Sequence, residues 1–144
     1  MPDPALDIAT HLGADATVTI GGSDAVLGTN LFPGPKRAAG DGIPEAAIFV
    51  LETGGYPPDD TFGTTLPGRT ATVQVYIRGP QGADAYSSAR ATARAAWKSL
   101  HKASISGYVS IRCMQSEPVY LGPNETDQHV FTINVLALHG HTAP

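Results

Sequence analysis

The segment from residue 84 to residue 102 constrains the fold most, because its apolar and its basic residues both recur with helical spacing. The apolar positions are three or four residues apart and form one stripe: Tyr86, Ala89, Ala93, Trp97 and Leu100. The basic positions recur every four residues on another face: Arg90, Arg94, Lys98 and Lys102. Asp84 is expected to cap the start of this helix. The segment therefore predicts a long amphipathic helix whose alanines allow close packing on a sheet.

Short apolar runs on either side of this helix predict strands. The clearest is residues 72–78, where apolar and polar side chains alternate as in a half-buried strand, and residues 79–82, which begin with Gly79, are expected to end it. Residues 46–52 form a continuous apolar run, which is typical of a strand covered on both faces. Further strands are predicted at residues 18–20, 28–32, 109–114, 118–121 and 130–138.

The remaining segments complete a simple order of elements. A short helix is predicted over residues 5–12, with Asp3 as its cap and Gly13 at its end. Residues 56–70 show no periodicity, and residues 139–144 are expected to form a flexible tail. The order predicts one α+β domain over residues 1–144, a mostly antiparallel β-sheet with one long and one short α-helix packed on it.

Composition limits the classes of function. Hydrophobic residues make up 42% of the chain and charged residues 15%, with a net charge of -4, so nucleic-acid binding by bulk charge is not expected. The single cysteine, Cys113, excludes an intrachain disulfide and a four-cysteine zinc site. Residues 1–12 lack the basic start of a secretion signal, and no apolar run approaches the length of a membrane helix. We therefore expect a soluble protein made in a cytoplasm.

Residue types that carry chemistry occur in patterns better explained by structure. Cys113 is expected to be a buried structural cysteine, since no base or electropositive setting is evident beside it. The histidines near the C-terminal end, including His129 and His139, follow no metal-ligand spacing. Asp59 and Asp60 are adjacent loop residues without a fixed separation. The sequence predicts no catalytic, cofactor or metal site, and so a protein that is not an enzyme.

The basic stripe, Arg90, Arg94, Lys98 and Lys102, is the most informative polar feature. A solvated helix face is its simplest interpretation. It could instead contact acidic residues of a neighbouring subunit, or it could face phosphate. The acidic net charge favours a protein partner over phosphate.

The chain resembles the tail terminator and minor capsid proteins of long-tailed bacteriophages along nearly its whole length. The segment Val-Gln-Val-Tyr-Ile-Arg-Gly at residues 73–79, followed by the alanine-rich helix, carries most of the resemblance. Other matching segments are residues 30–34, 51–55, 118–122 and 130–135. Residues 124–129 depart from the family, where a shorter turn is usual, and this puts any family contact at that turn in doubt.

The resemblance implies a ring, commonly of six copies, that caps the tail tube, stops its polymerisation and joins the tail to the head-completion protein. Double-stranded DNA would only pass through the lumen, and the protein would belong to the virion at the head-tail junction after assembly in the host cytoplasm. Contacts with other copies or with partners are expected at six residues: Tyr56, Phe62, Leu66, Arg78, Arg90 and Arg94.

Three alternatives remain open on the sequence alone. The first is another phage subunit with a small α+β core, such as a head-tail connector or a tail-tube protein. The second is a small cytoplasmic enzyme whose active site forms between subunits, because sites are grafted on folds without fixed spacing. The third is a ligand-binding module, which saturable binding of a small molecule would distinguish.

Overall fold

The computed structural model describes residues 3–55, 69–82 and 85–139. Within these ranges the chain forms two helices, α1 (Pro4–Ala14) and α2 (Tyr86–Leu100). The strands are β1 (Thr19–Ile20), β2 (Ser23–Asp24), β3 (Leu31–Pro33), β4 (Ala47–Gly55), β5 (Arg69–Gln81), β6 (Ser110–Cys113), β7 (Val119–Pro123) and β8 (Gln128–His139). Neither helix is long and apolar enough to cross a membrane within the described ranges.

One large sheet organises these strands. Its order is β3-β4-β5-β8-β6, and β7 also pairs with β8 beside β6. Only β3 and β4 run parallel in this sheet, so the predicted α+β fold with a mostly antiparallel sheet is confirmed. The short strands β1 and β2 form a separate two-stranded ribbon.

Both helices cover the same face of the large sheet and enclose the core. The alternation predicted for β5 is present: Val73, Val75 and Ile77 are buried against the helices. The same face receives Ile8 and Leu12 from α1, both fully buried. From α2 it receives small residues above all: Ala89, Thr92, Ala93 and Ala96. These small side chains let the helix axis lie close to the sheet, where burial of apolar surface stabilises the fold.

The apolar stripe predicted for α2 is only partly correct. Ala89, Ala93 and Leu100 are buried as predicted, but Tyr86 remains 38% exposed. Trp97 lies at the margin of the core, where its indole Nε1 donates to the Gln115 carbonyl oxygen at 2.9 Å. Large aromatic residues at helix spacing thus lie at the rim of this interface, and alanines occupy its centre. The helix begins after Ala85, which provides no side-chain cap, and Asp84 lies outside the described residues.

Several strands are longer than predicted or begin at a different residue. Gly79 does not end β5, which continues to Gln81 with a register shift after Arg78. β4 likewise continues through Gly54 and Gly55 with a bulge. The strand predicted at residues 28–32 begins only at Leu31, because residues 26–30 form a hydrogen-bonded turn. Glycine at these positions accommodates bulges and turns within the ladder and does not terminate it.

The flexible tail predicted for residues 139–144 does not include His139. His139 is the last residue of β8, pairs with Arg69 and is 7% exposed. Its ring meets the Tyr108 ring edge-on with centroids 5.8 Å apart. Tyr108 in turn donates its hydroxyl to the Asp7 carboxylate at 2.6 Å, which connects α1 to the segment before β6. Residues 140–144 lie outside the described ranges.

Candidate assembly surfaces

The basic stripe occupies the outer face of α2 beside the connection between β6 and β7. Arg90, Arg94 and Lys98 are all exposed. The Arg94 Nε lies 3.5 Å from a Glu117 carboxylate oxygen, and both side chains are largely exposed, so this ion pair adds little stability. Lys102 follows the end of the helix with a φ of 61° and so leaves the helical spacing. Three of the four predicted positions therefore form one helical face.

An aromatic cluster adjoins this face at the start of α2. The Tyr86 and Tyr120 rings meet edge-on with centroids 5.3 Å apart, and the Tyr120 ring also contacts Phe131. The Tyr120 hydroxyl is hydrogen-bonded to His129 Nδ1 at 2.7 Å. Tyr120 and the neighbouring Leu121 are 42% and 58% exposed on strand β7, at an edge of the sheet. Tyrosine is enriched at protein interfaces, so this cluster is a candidate contact surface.

A second apolar surface lies at the opposite edge of the sheet, beside β3. Val26 and Leu27 are 48% and 40% exposed on the turn that precedes this strand. Asn30, which is only 7% exposed, holds the turn: its Oδ1 accepts from the Val26 N–H at 2.8 Å, and its Nδ2 donates to the Asp24 carbonyl oxygen at 3.0 Å. The turn therefore presents two apolar side chains on a backbone that is already fixed.

Arg78, predicted as an interface residue, is occupied within its own chain. The residue is 5% exposed, and its guanidinium donates to the carbonyl oxygens of Arg37, Pro44 and Glu45 at 2.5, 2.8 and 2.6 Å. Burial lowers the pKa of the guanidinium from its ordinary value. It also lies 5.2 Å from the centroid of the Phe49 ring. Arg78 thus fixes the loop between β3 and β4, and its contribution to an interface stays a prediction.

The same loop bounds a groove of about 670 Å³, whose lining includes Lys36, Arg37 and the turn before β8. Lys36 and Arg37 lie over the rings of Tyr76 and Phe32, at 5.1 and 4.9 Å from the centroids. In the turn, the buried Gln128 amide donates to the Glu45 carbonyl oxygen and accepts from Asn124 and Thr126. Residues 124–129, which depart from the resembled family, therefore form a hydrogen-bonded wall of this groove.

Cys113 is a half-buried residue of β6, and burial raises the pKa of its thiol to about 12. Its Sγ lies 3.8 Å from the Trp97 carbonyl oxygen. The thiolate, which is the reactive form, is therefore scarce at neutral pH.

We expect the Cys113 thiol of the folded protein to react with a disulfide reagent at pH 8 at least about a hundredfold more slowly than in urea. The raised pKa reduces the thiolate fraction, and burial limits access. The measurement is the rate of thionitrobenzoate release with and without denaturant. Equal rates in the two conditions would show that Cys113 is accessible and ionises normally.

The histidines and carboxylates of the described residues do not converge on one point. No group of three or more His, Cys, Asp or Glu side chains in residues 3–55, 69–82 and 85–139 could hold a metal ion. His129 is bonded to Tyr120, and His11 Nε2 lies 3.0 Å from the Ser99 carbonyl oxygen. Asp59 and Asp60 lie outside the described residues.

Comparison with known proteins finds a fold relative. The chain matches a solved structure described as the virion of a native gene transfer agent particle, with a TM-score of 0.62 and 17% sequence identity. The match covers 94% of this chain and 93% of that one. No protein family model and no curated protein matches the chain. The chain therefore shares its fold, over nearly its full length, with a chain of that particle.

Three of the six predicted contact residues lie within the described ranges, and the structure brings two of these three together. Arg90 and Arg94 share the outer face of α2, and Arg78 lies in the loop network. Tyr56, Phe62 and Leu66 lie outside the described residues. The apolar surfaces at the two sheet edges were not predicted, because isolated exposed apolar residues resemble core residues in a strand pattern.

Proposed function

We propose that this chain is a structural subunit of a phage-like particle. Specifically, six copies of it form a ring that terminates the tail. The full-length fold match to a chain of a gene transfer agent virion carries this proposal. The sequence resemblance to tail terminators also supports it. Two of the resembling segments, residues 73–79 and 130–135, pair with one another in β5 and β8. In this proposal the ring caps the tail tube, stops its growth and joins it to the head-completion protein at the head-tail junction.

The shape of the domain suits a ring subunit. Both helices lie on one face of the sheet, and the sheet ends in two edges that carry different exposed apolar groups. Identical subunits that join through two unlike surfaces form a closed ring when the repeated rotation from one subunit to the next returns to the first subunit. The net charge of -4 would limit binding of the ring to DNA that passes through it.

Deletion of the gene in its native genome, followed by negative-stain electron microscopy of the lysate, tests the proposal. We expect free heads beside tails of irregular or excess length, and recovery of normal particles when the gene is supplied from a plasmid. Tails of normal length that fail to attach would assign the chain to a connector. Normal, infectious particles without the gene would overturn a role in the particle and favour the enzyme or the ligand-binding alternative.

A further inference from the structure

Charge is segregated along this chain in a way that its net value conceals. Residues 3–31 contain four acidic residues and no lysine or arginine: Asp3, Asp7, Asp15 and Asp24. Residues 85–116 contain five basic residues and no aspartate or glutamate: Arg90, Arg94, Lys98, Lys102 and Arg112. Asp84 and Glu117 bound the second segment. Two oppositely charged segments in one small chain would allow electrostatic complementarity between copies.

The fold places the two charged segments toward opposite edges of the sheet. In the acidic segment, α1 packs on β3 and β4, and the turn lies beside β3; in the basic segment, α2 packs on β5 and β8. The β1–β2 ribbon of the acidic segment also contacts α2, where the Thr92 hydroxyl donates to the Thr19 carbonyl oxygen at 2.6 Å. Strands β3 and β7 are separated by β4, β5 and β8, which at about 4.8 Å per strand places them about 19 Å apart.

Not every acidic side chain is available at the outer edge. Asp7 accepts from the Tyr108 hydroxyl, Asp15 accepts from Thr17, and Asp3 caps α1. Asp24 is exposed, two residues from Val26, on the ribbon that leads into the turn. The β3 edge thus combines one available carboxylate with two apolar side chains, which are Val26 and Leu27.

The other edge offers the complementary groups. Arg90 is exposed one helical turn after Tyr86, whose ring contacts Tyr120. Leu121 follows Tyr120 on β7 and is 58% exposed. Within the described part of the chain, the one ion pair found for this basic face is that of Arg94 with Glu117. The β7 edge thus combines an aromatic ring and a leucine with an arginine that is available for an outside carboxylate.

Both surfaces are fixed before any contact forms. Asn30 holds the turn that carries Val26 and Leu27, and the hydrogen bond to His129 holds Tyr120. The Gly28 N–H donates to the Leu31 carbonyl oxygen at 2.8 Å, so the turn covers the outer edge of β3. The turn thus occupies the edge at Leu31, and the exposed groups it offers there are side chains. Preorganised side chains lose little entropy on association.

We propose that these two edges are the halves of one repeated contact between copies of this chain: Asp24, Val26 and Leu27 of one copy pack on Arg90, Tyr120 and Leu121 of the next. The contact joins unlike surfaces head to tail, so it generates a ring or an open row of subunits. The inference that this contact closes a ring of six copies rests on the proposed function. The apolar groups supply the buried core of the contact, and the pair Asp24 and Arg90 fixes its direction.

Disulfide trapping tests which surfaces meet. The full-length variant carrying Val26→Cys and Leu121→Cys is expected to form a ladder of cross-linked species under mild oxidation. Each single variant should form no ladder, and an equimolar mixture of the two single variants should yield dimers only. The pair Val26→Cys and Val109→Cys is the matched control, since Val109 is 72% exposed but lies on neither surface. A ladder from this control, with none from the test pair, would overturn the proposed contact.

Charge exchange provides an independent test by light scattering. Asp24→Arg and Arg90→Asp are each expected to weaken self-association at least about tenfold, because each places like charges together. The protein with both changes should recover most of the wild-type affinity, and circular dichroism checks that each variant is folded. Wild-type rings that both single variants leave intact would overturn this contact but not the proposed ring. A wild-type protein that stays monomeric at high concentration would overturn both.

Discussion

Replacing Arg78 with alanine is expected to lower the free energy of unfolding by about 3 to 5 kcal/mol, because a buried charged group leaves its partners unsatisfied when it is removed. The guanidinium donates to three backbone carbonyl oxygens of the loop between β3 and β4 and lies over the Phe49 ring. Urea unfolding followed by the fluorescence of Trp97, the one tryptophan in the chain, measures the change.

Two further variants separate the causes of that loss. Arg112→Ala removes an exposed arginine from β6 and should change the free energy of unfolding by no more than about 0.5 kcal/mol. Arg78→Lys keeps the charge but loses the planar fork of donors, so we expect an intermediate loss. If Arg78→Ala were as stable as Arg112→Ala, the loop would not depend on this guanidinium.

The second large effect is expected at Gly79, where α2 crosses β5. A Cβ atom added here would lie 2.6 Å from the Ala89 Cβ and 3.4 Å from the Ala89 Cα. Neither atom belongs to a flexible side chain, so the helix would have to move away from the sheet. Gly79→Ala should therefore lower the free energy of unfolding by about 3 kcal/mol, which thermal and urea unfolding would measure.

Two controls test that explanation. Gly13→Ala lies near the end of α1, where the added Cβ meets Leu31 Cδ2 at an ordinary 3.4 Å, so the variant should gain up to about 1 kcal/mol from helix propensity. Ala89→Gly in the Gly79→Ala background should recover part of the loss, because it removes the colliding atom. A double variant no more stable than Gly79→Ala alone would contradict the steric explanation.

The sequence specified the type of each main element better than its limits. The alternation in β5 and the helical spacing in α2 reflect burial on one side, and both were read correctly from Val73, Val75 and Ala93. Gly79 was misinterpreted because a glycine needed for close helix approach looks the same in sequence as one that ends a strand. The role of Arg78 depends on a loop distant in sequence, which no local pattern records.

The candidate surfaces were less accessible to sequence analysis than the fold. The basic face of α2 was predicted because its positions repeat every four residues. The opposite surface, with Val26 and Leu27, has no repeat and becomes visible only when the turn held by Asn30 is placed beside β3. Which residues face a neighbour depends on where strands from distant parts of the chain end in the sheet.

Strand β8 is the last strand in the described chain, yet it lies inside the sheet, with β5 on one side and both β6 and β7 on the other. During translation, one edge of β5 therefore stays unpaired until residues 128–139 have been synthesised. Such non-local pairing slows folding, and an open edge invites pairing with other chains. A chain truncated before residue 128 would consequently aggregate rather than form a smaller stable domain.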